Sequence, residues 1–230
     1  GFLTVEQLDD LLFYGMLGVI LGGRLGQVLF YEPVYFLAHP LEIFAVWKGG
    51  MSFHGGFLGV LLACGLWGRL NGKGFWQIMD FVAPLVPLGL LFGRIANFIN
   101  AELYGAPTTL PWGVVFNQEK DALGQWVARH PSQLYEGLLE GLLLFLVLHW
   151  LWKRHEQGKM GEKIISGVFA LGYGLSRIAV EFVRLPDEHL GYLAGTSWLT
   201  QGMLLSLPMV IVGLILIVWG QKNYQLRIKN

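Results

Sequence analysis

The chain has 230 residues, of which 54% are hydrophobic and only 14% charged, and its formal net charge is zero. Soluble domains carry nearer a quarter charged residues, so this balance, with a mean hydropathy of +0.51, excludes an ordinary soluble fold and gives no footing for nucleic-acid binding. The one cysteine, Cys64, lies in an apolar run; an intrachain disulfide and a cysteine-cluster metal site are excluded.

Long apolar runs predict an all-α polytopic membrane protein, a single integral membrane domain over residues 1–230. Six spans are expected at roughly 10–31, 53–70, 76–99, 135–152, 164–184 and 200–219, each close to the length that crosses about 30 Å of hydrocarbon. The opening "GFLTVEQLDD" is acidic and polar, so no cleavable signal peptide is expected there. The first span carries Arg24 in "LGGRLGQVLFY". The stretch 32–48, with Pro33, Pro40 and Trp47, is too interrupted to span and is expected at the interface. "GGMSFHGG" then opens the second span with His54 among four glycines. Glycine costs backbone entropy and packs nothing, so these glycines are expected to let a ligand approach His54.

The third span has Asp80 near one end and Arg94 near the other, in "LFGRIANFINAELYG", with Asn97, Asn100 and Glu102 following. "RHPSQLYE" places His130 in a loop, with Pro131 and Ser132 starting the next helix and Ser132 as its cap. Glu136 and Glu140 begin the fourth span; like Asp80, they read as fixing helix packing. In the fifth, Tyr173, Arg177, Glu181 and Arg184 fall at i, i+4, i+8 and i+11, on one face. Glycines four apart recur at Gly18/Gly22/Gly26, Gly55/Gly59, Gly89/Gly93 and Gly137/Gly141, and most read as close helix packing.

Basic residues give a sidedness. Arg69, Lys73, Lys153, Arg154, Lys159, Lys163, Lys222, Arg227 and Lys229 fall on one side; Lys48, Lys120 and Arg129 fall on the other, with Arg184 at a border. The richer side is expected to be cytoplasmic. Segments near 71–75, 153–163 and 220–230 are then cytoplasmic, and those near 32–52, 100–134 and 185–199 periplasmic.

Ionisable residues inside spans are costly and point to function. On this topology three helices bring His54, Arg94, Arg177, Tyr173 and nearby amides toward one outward-facing pocket. Two arginines without equal carboxylates beside them ask for an anion, and the planar guanidinium suits phosphate. A phospholipid headgroup is the abundant anion at that depth. On the residues alone, a transporter or binding protein for an anionic lipid or solute fits as well. A serine or HExxH intramembrane protease has no motif here.

Taken together, "GGRLGQVLFY", "GGMSFHGG", "GRIANFINAELYG", "RHPSQLYE" and "GYGLSRIAVEFVRLPD" resemble, in order and spacing, the bacterial prolipoprotein diacylglyceryl transferases. The resemblance covers nearly the whole chain. It implies transfer of the diacylglyceryl group of phosphatidylglycerol to a lipobox cysteine thiol, giving a thioether and glycerol phosphate. That is the first step of bacterial lipoprotein maturation. It implies His54, Arg94 and Arg177 as catalytic, with Asn97, Asn100, Glu102, Gly105, Tyr173 and Glu181 binding phosphatidylglycerol or shaping the site. Arg24, Arg184 and His130 are expected in support. Phosphatidylglycerol, prolipoprotein lipobox peptides and membrane lipids are the implied partners. No metal and no cofactor are expected. The enzyme is expected as a monomer in the bacterial inner membrane with its site toward the periplasm. The family has seven spans, one more than is read here, and its first helix, which brings a tyrosine-bearing segment to the site, has no counterpart in this chain. Ala101 stands where the family signature has glycine, and the loop between Gly105 and Arg129 is short, implying a reduced periplasmic head.

Overall fold

The computed structural model describes residues 2–185 and 191–229. Among these, the expected all-α architecture is present: six helices are long and apolar enough to cross a membrane, and pairing between extended segments is limited to isolated bridges. The chain divides into two compact units, Gly1–Ile78 and Met79–Asn230.

The first unit is built on helices α1 (Val5–Gly26) and α3 (Phe53–Leu70). Thr4 and Gln7 form a reciprocal capping box that starts α1, and a π-helical turn over Gln27–Tyr31 ends the span. The interrupted stretch after it does not span. It folds into α2 (Pro33–Ala38) and two 3₁₀ turns, Pro40–Phe44 and Val46–Lys48. The glycine stripes of α1 and α3 face each other. A Cβ on Gly22 would lie 2.8 Å from the Gly59 Cα, and one on Gly26 2.8 Å from the Gly55 Cα. Only hydrogen at these positions permits that approach.

The second unit takes in the end of α4 (Phe75–Val82), then α5 (Val86–Ile99). Sequence periodicity reads α4 and α5 as one span, but a turn separates them at residues 83–85. Pro84 and Pro87 explain the break, since proline has no N–H for the helical ladder. The fourth span runs through α6 (Ser132–Glu136), a π-helix at Gly137–Leu143 and α7 (Leu144–Glu156). It lies so close to α5 that a Cβ on Gly141 would sit 2.7 Å from that of Leu91. Among the described residues, by contrast, a Cβ on Gly89 or Gly93 would meet nothing within 4 Å. Helix α8 (Ile164–Glu181) pairs with α9 (Gln201–Lys229), which continues well past the expected end of its span. Ala83, Leu144, Leu148 and Ile165 form a buried core, with Tyr173 packed against it.

Asp80 fixes this unit at the start of α8. Fully buried, it accepts hydrogen bonds from the Lys163 N–H (2.6 Å), the Ser166 N–H (2.8 Å) and the Ser166 hydroxyl (2.5 Å). A carboxylate there satisfies orphan donors and complements the helix dipole. Asp80→Ala is expected to cost about 1–3 kcal/mol of unfolding free energy by stranding those donors. Turnover per folded molecule should be unchanged. Reversible unfolding in mixed micelles, read beside initial rates, checks both.

Candidate active site

Three helices of the second unit converge on one carboxylate. Glu136, at the end of α6, is fully buried. Its Oε1 lies 2.9 Å from Arg177 Nη1 and 2.8 Å from Arg184 Nη1, and its Oε2 lies 2.6 Å from Arg94 Nε. Arg177 Nη2 also pairs with Glu181 Oε1 at 2.5 Å, and Arg184 Nε approaches the same oxygen at 3.5 Å. Glu140, likewise fully buried, stands 3.7 Å from Arg94 Nη2. Arg177 and Glu181 share one face of α8 as expected, and Arg184, in the turn beyond the end of the helix, joins them. Tyr173, lower on that helix, stacks with Phe169.

The expectation of arginines without matching carboxylates is overturned: three guanidiniums meet Glu136, Glu140 and Glu181. Periodicity showed which face each residue occupies but not which helix lies opposite. The packing of Gly137 and Gly141 against α5 is what brings both glutamates there. The carboxylates still do not close the site. Side chains of Arg94, Arg177 and Arg184 keep 18%, 17% and 12% exposure, against 0% for Glu136 and Glu140 and 4% for Glu181. The acidic groups are buried and hold the guanidiniums, while part of each arginine side chain stays exposed.

The segment after α5 closes round this cluster. Asn100 C-caps α5, and the Asn97 side chain reaches Glu102 Oε2 at 3.4 Å. Ala101 adopts φ +55°, a left-handed conformation natural to glycine and strained for alanine. Gly105 receives two strands of chain: its N–H donates to the His130 carbonyl, and it bridges Arg184. A Cβ on Gly105 would lie 2.8 Å from the His130 Cβ, so a side chain would force these segments apart. The His130 ring contacts the Tyr135 hydroxyl at 3.3 Å. Ser132 does not cap its helix as expected. Pro131 takes that position, and the Ser132 hydroxyl donates instead to the Leu103 carbonyl. Nearby, Arg129 grips Glu119 through two bonds of 2.7 and 2.6 Å, which hold the Glu119 carboxyl below the usual carboxylate range.

His54 and Arg24 belong to the first unit. The Ser52 hydroxyl caps α3, accepting from the Gly55 N–H, and leaves His54 exposed in the first turn. Three glycines of "GGMSFHGG" have visible structural roles. Gly55 packs against α1, while Gly49 and Gly50, at φ +84° and +73°, turn the chain. Their carbonyls accept from Arg24 Nη1 at 2.7 and 3.1 Å. Arg24 also donates to the Ile43 and Glu42 carbonyls and covers the Phe36 ring. It staples the non-spanning stretch to α1. Among the described residues, no group of His, Cys, Asp and Glu is arranged to hold a metal ion.

Sequence comparison adds to this geometry. Residues 2–219 match the family model described as prolipoprotein diacylglyceryl transferase. The chain is 56% identical over 228 residues to the phosphatidylglycerol–prolipoprotein diacylglyceryl transferase of Dechloromonas aromatica (strain RCB), covering 98% of this chain and 83% of that protein. It is 57% identical over 220 residues to the protein of the same name from Pseudomonas syringae pv. syringae (strain B728a), covering 96% and 79%. With that of Cupriavidus pinatubonensis (strain JMP 134 / LMG 1197) it shares 54% over 220 residues, covering 96% and 76%.

Proposed function

The chain belongs to the prolipoprotein diacylglyceryl transferase family, and from that membership we propose that the arginine cluster is where its reaction takes place. The enzyme is a multi-pass membrane transferase. It moves the diacylglyceryl group of phosphatidylglycerol to the lipobox cysteine of a prolipoprotein. The observation that carries the site is buried Glu136 holding Arg94, Arg177 and Arg184 together, each of the three side chains still partly exposed.

In the reaction the substrate cysteine loses its proton, and its sulfur attacks the glycerol carbon that bears the phosphate ester. The new C–S bond forms as the C–O bond breaks, and the electron pair leaves with glycerol phosphate. A diester with one negative charge thus becomes a monoester approaching two. Arg94, Arg177 and Arg184 bind that growing charge more strongly than the starting lipid, which lowers the barrier. Their buried carboxylates keep them oriented, so little reorganisation is needed as the charge develops. Glu102, Asn97, Asn100 and Gly105 shape the neighbouring wall, and Tyr173 and Glu181 support the face of α8. The nucleophile belongs to the substrate; buried Cys64 is a bystander.

His54 is the proposed base for the thiol. His54→Gln should lose most transfer near neutral pH, and the loss should shrink as pH rises, because a thiol with an ordinary value near 8.5 then ionises unaided. A pH–rate profile with labelled phosphatidylglycerol and a lipobox peptide tests this. A ratio of mutant to wild-type rates that stays constant from about pH 6 to 9 removes the role of base.

The site is proposed to face the periplasm across the bacterial inner membrane, as the distribution of basic residues supports. Cysteines placed at Lys159 and Asn117 in a Cys64→Ala background report this in spheroplasts. An impermeant reagent should label position 117 and spare 159; the reverse pattern inverts the site.

A further inference from the structure

The last span supplies a hydroxyl to this cluster that neither its sequence motifs nor its reaction chemistry calls for. Thr200 precedes α9 and is buried. Its hydroxyl donates to Glu181 Oε2 at 2.6 Å and accepts from the Met203 N–H at 3.2 Å. One oxygen therefore starts α9 and holds the carboxylate whose other oxygen binds Arg177 and approaches Arg184. Gly202 completes the arrangement: a Cβ there would lie 2.6 Å from Glu181 Oε1 and 2.8 Å from its carboxyl carbon. Glu181 is thus fixed from three sides, by a donor, by the bare backbone of α9 and by two cations. A small cavity lined by Arg177, Glu181, Arg184, Thr200 and Gly202 lies at this junction.

We infer that Thr200, with Gly202, is a positioning residue of the transfer reaction, setting Arg177 and Arg184 through Glu181. A carboxylate released from Thr200 is free to rotate its oxygens among the arginines. The guanidinium that rotates with it presents its fork to phosphate at a changed angle. The span that touches no reacting atom then governs how well the phosphate is held as its charge grows. This inference rests on the arginine cluster being the phosphate site.

Three variants separate the donor from the helix cap. Thr200→Val removes both. Thr200→Asp keeps an acceptor for the Met203 N–H but, ionised, offers Glu181 no donor. Thr200→Ser keeps both. With purified enzyme, phosphatidylglycerol in mixed micelles and a lipobox peptide, kcat and KM for the lipid are read per folded molecule. Thr200→Val and Thr200→Asp should each lose about tenfold or more in kcat/KM, the scale of one hydrogen bond to a charged group. Thr200→Ser should restore what Thr200→Val loses. Wild-type kcat/KM in Thr200→Asp, or a Thr200→Val loss that serine does not restore, overturns the inference. If the valine and aspartate variants do not fold, Gly202→Ala decides, since it crowds Glu181 and leaves the hydroxyl in place; unchanged kcat/KM there overturns the inference too. Arg177→Lys is run alongside. If it is silent, the phosphate site itself is wrong. If it is impaired while the Thr200 variants are silent, only the positioning role fails.

Discussion

Arg94→Lys and Arg177→Lys are each expected to lower turnover by about 10²- to 10³-fold while leaving the amount of folded enzyme little changed. Charge is kept in both, so the loss measures geometry. Arg94 spreads its contacts over Nε and Nη2, reaching Glu136 and Glu140, and Arg177 divides Nη1 and Nη2 between Glu136 and Glu181. A lysine amine is one point with no fork, so it cannot stay on a buried carboxylate and also present a planar edge to phosphate. Losing one contact that strengthens in the transition state costs about 2–4 kcal/mol, by analogy with an oxyanion-hole donor. Initial rates with labelled phosphatidylglycerol and a lipobox peptide supply the measurement. Near-normal rates in both variants would make the cluster a structural ion-pair network with the chemistry elsewhere.

The second large effect concerns stability. Glu136→Ala should lower the unfolding free energy by about 3–5 kcal/mol, the usual result of removing one partner from a buried charge pair. Here one deletion strips a carboxylate contact from three guanidiniums at once. Glu136→Gln keeps an oxygen acceptor and the side-chain volume and should lose less. Reversible unfolding in mixed micelles gives both values without relying on activity. A loss below about 1 kcal/mol for the alanine variant would mean that Glu136 does not hold the arginines.

The six spans were legible because membrane helices announce themselves by composition and length. The polar face of α8 was legible because Arg177 and Glu181 obey helical spacing, and Arg184, in the turn that follows, stays close to them. Glu136 was not recognised as the centre of the site, although its position in the sequence was plain. Spacing reports a residue's direction from its own axis and carries no information about which axis stands opposite. The π-helix at Gly137–Leu143 adds to the difficulty, since its turn departs from the period on which such readings depend. "GGMSFHGG" was legible only in part, for a related reason. Glycine marks close approach without saying what approaches, and at Gly55 the neighbour is α1. Thr200 carried no local signal beyond that of a helix start, and its second bond is visible only once α8 and α9 are side by side.

The sharing of Glu136 also bears on how this site can change over time. Three cations on one anion repel one another, and each is held against that repulsion by the same carboxylate. Replacing one relieves the other two, so the energies of successive replacements do not add. Departures on the order of 0.5–3 kcal/mol are typical of side chains in one such network. A second substitution in this cluster is therefore judged against a background that the first has altered. Arg94 comes from a stretch of sequence far from Arg177 and Arg184, yet a change in any one of the three alters the setting of the other two.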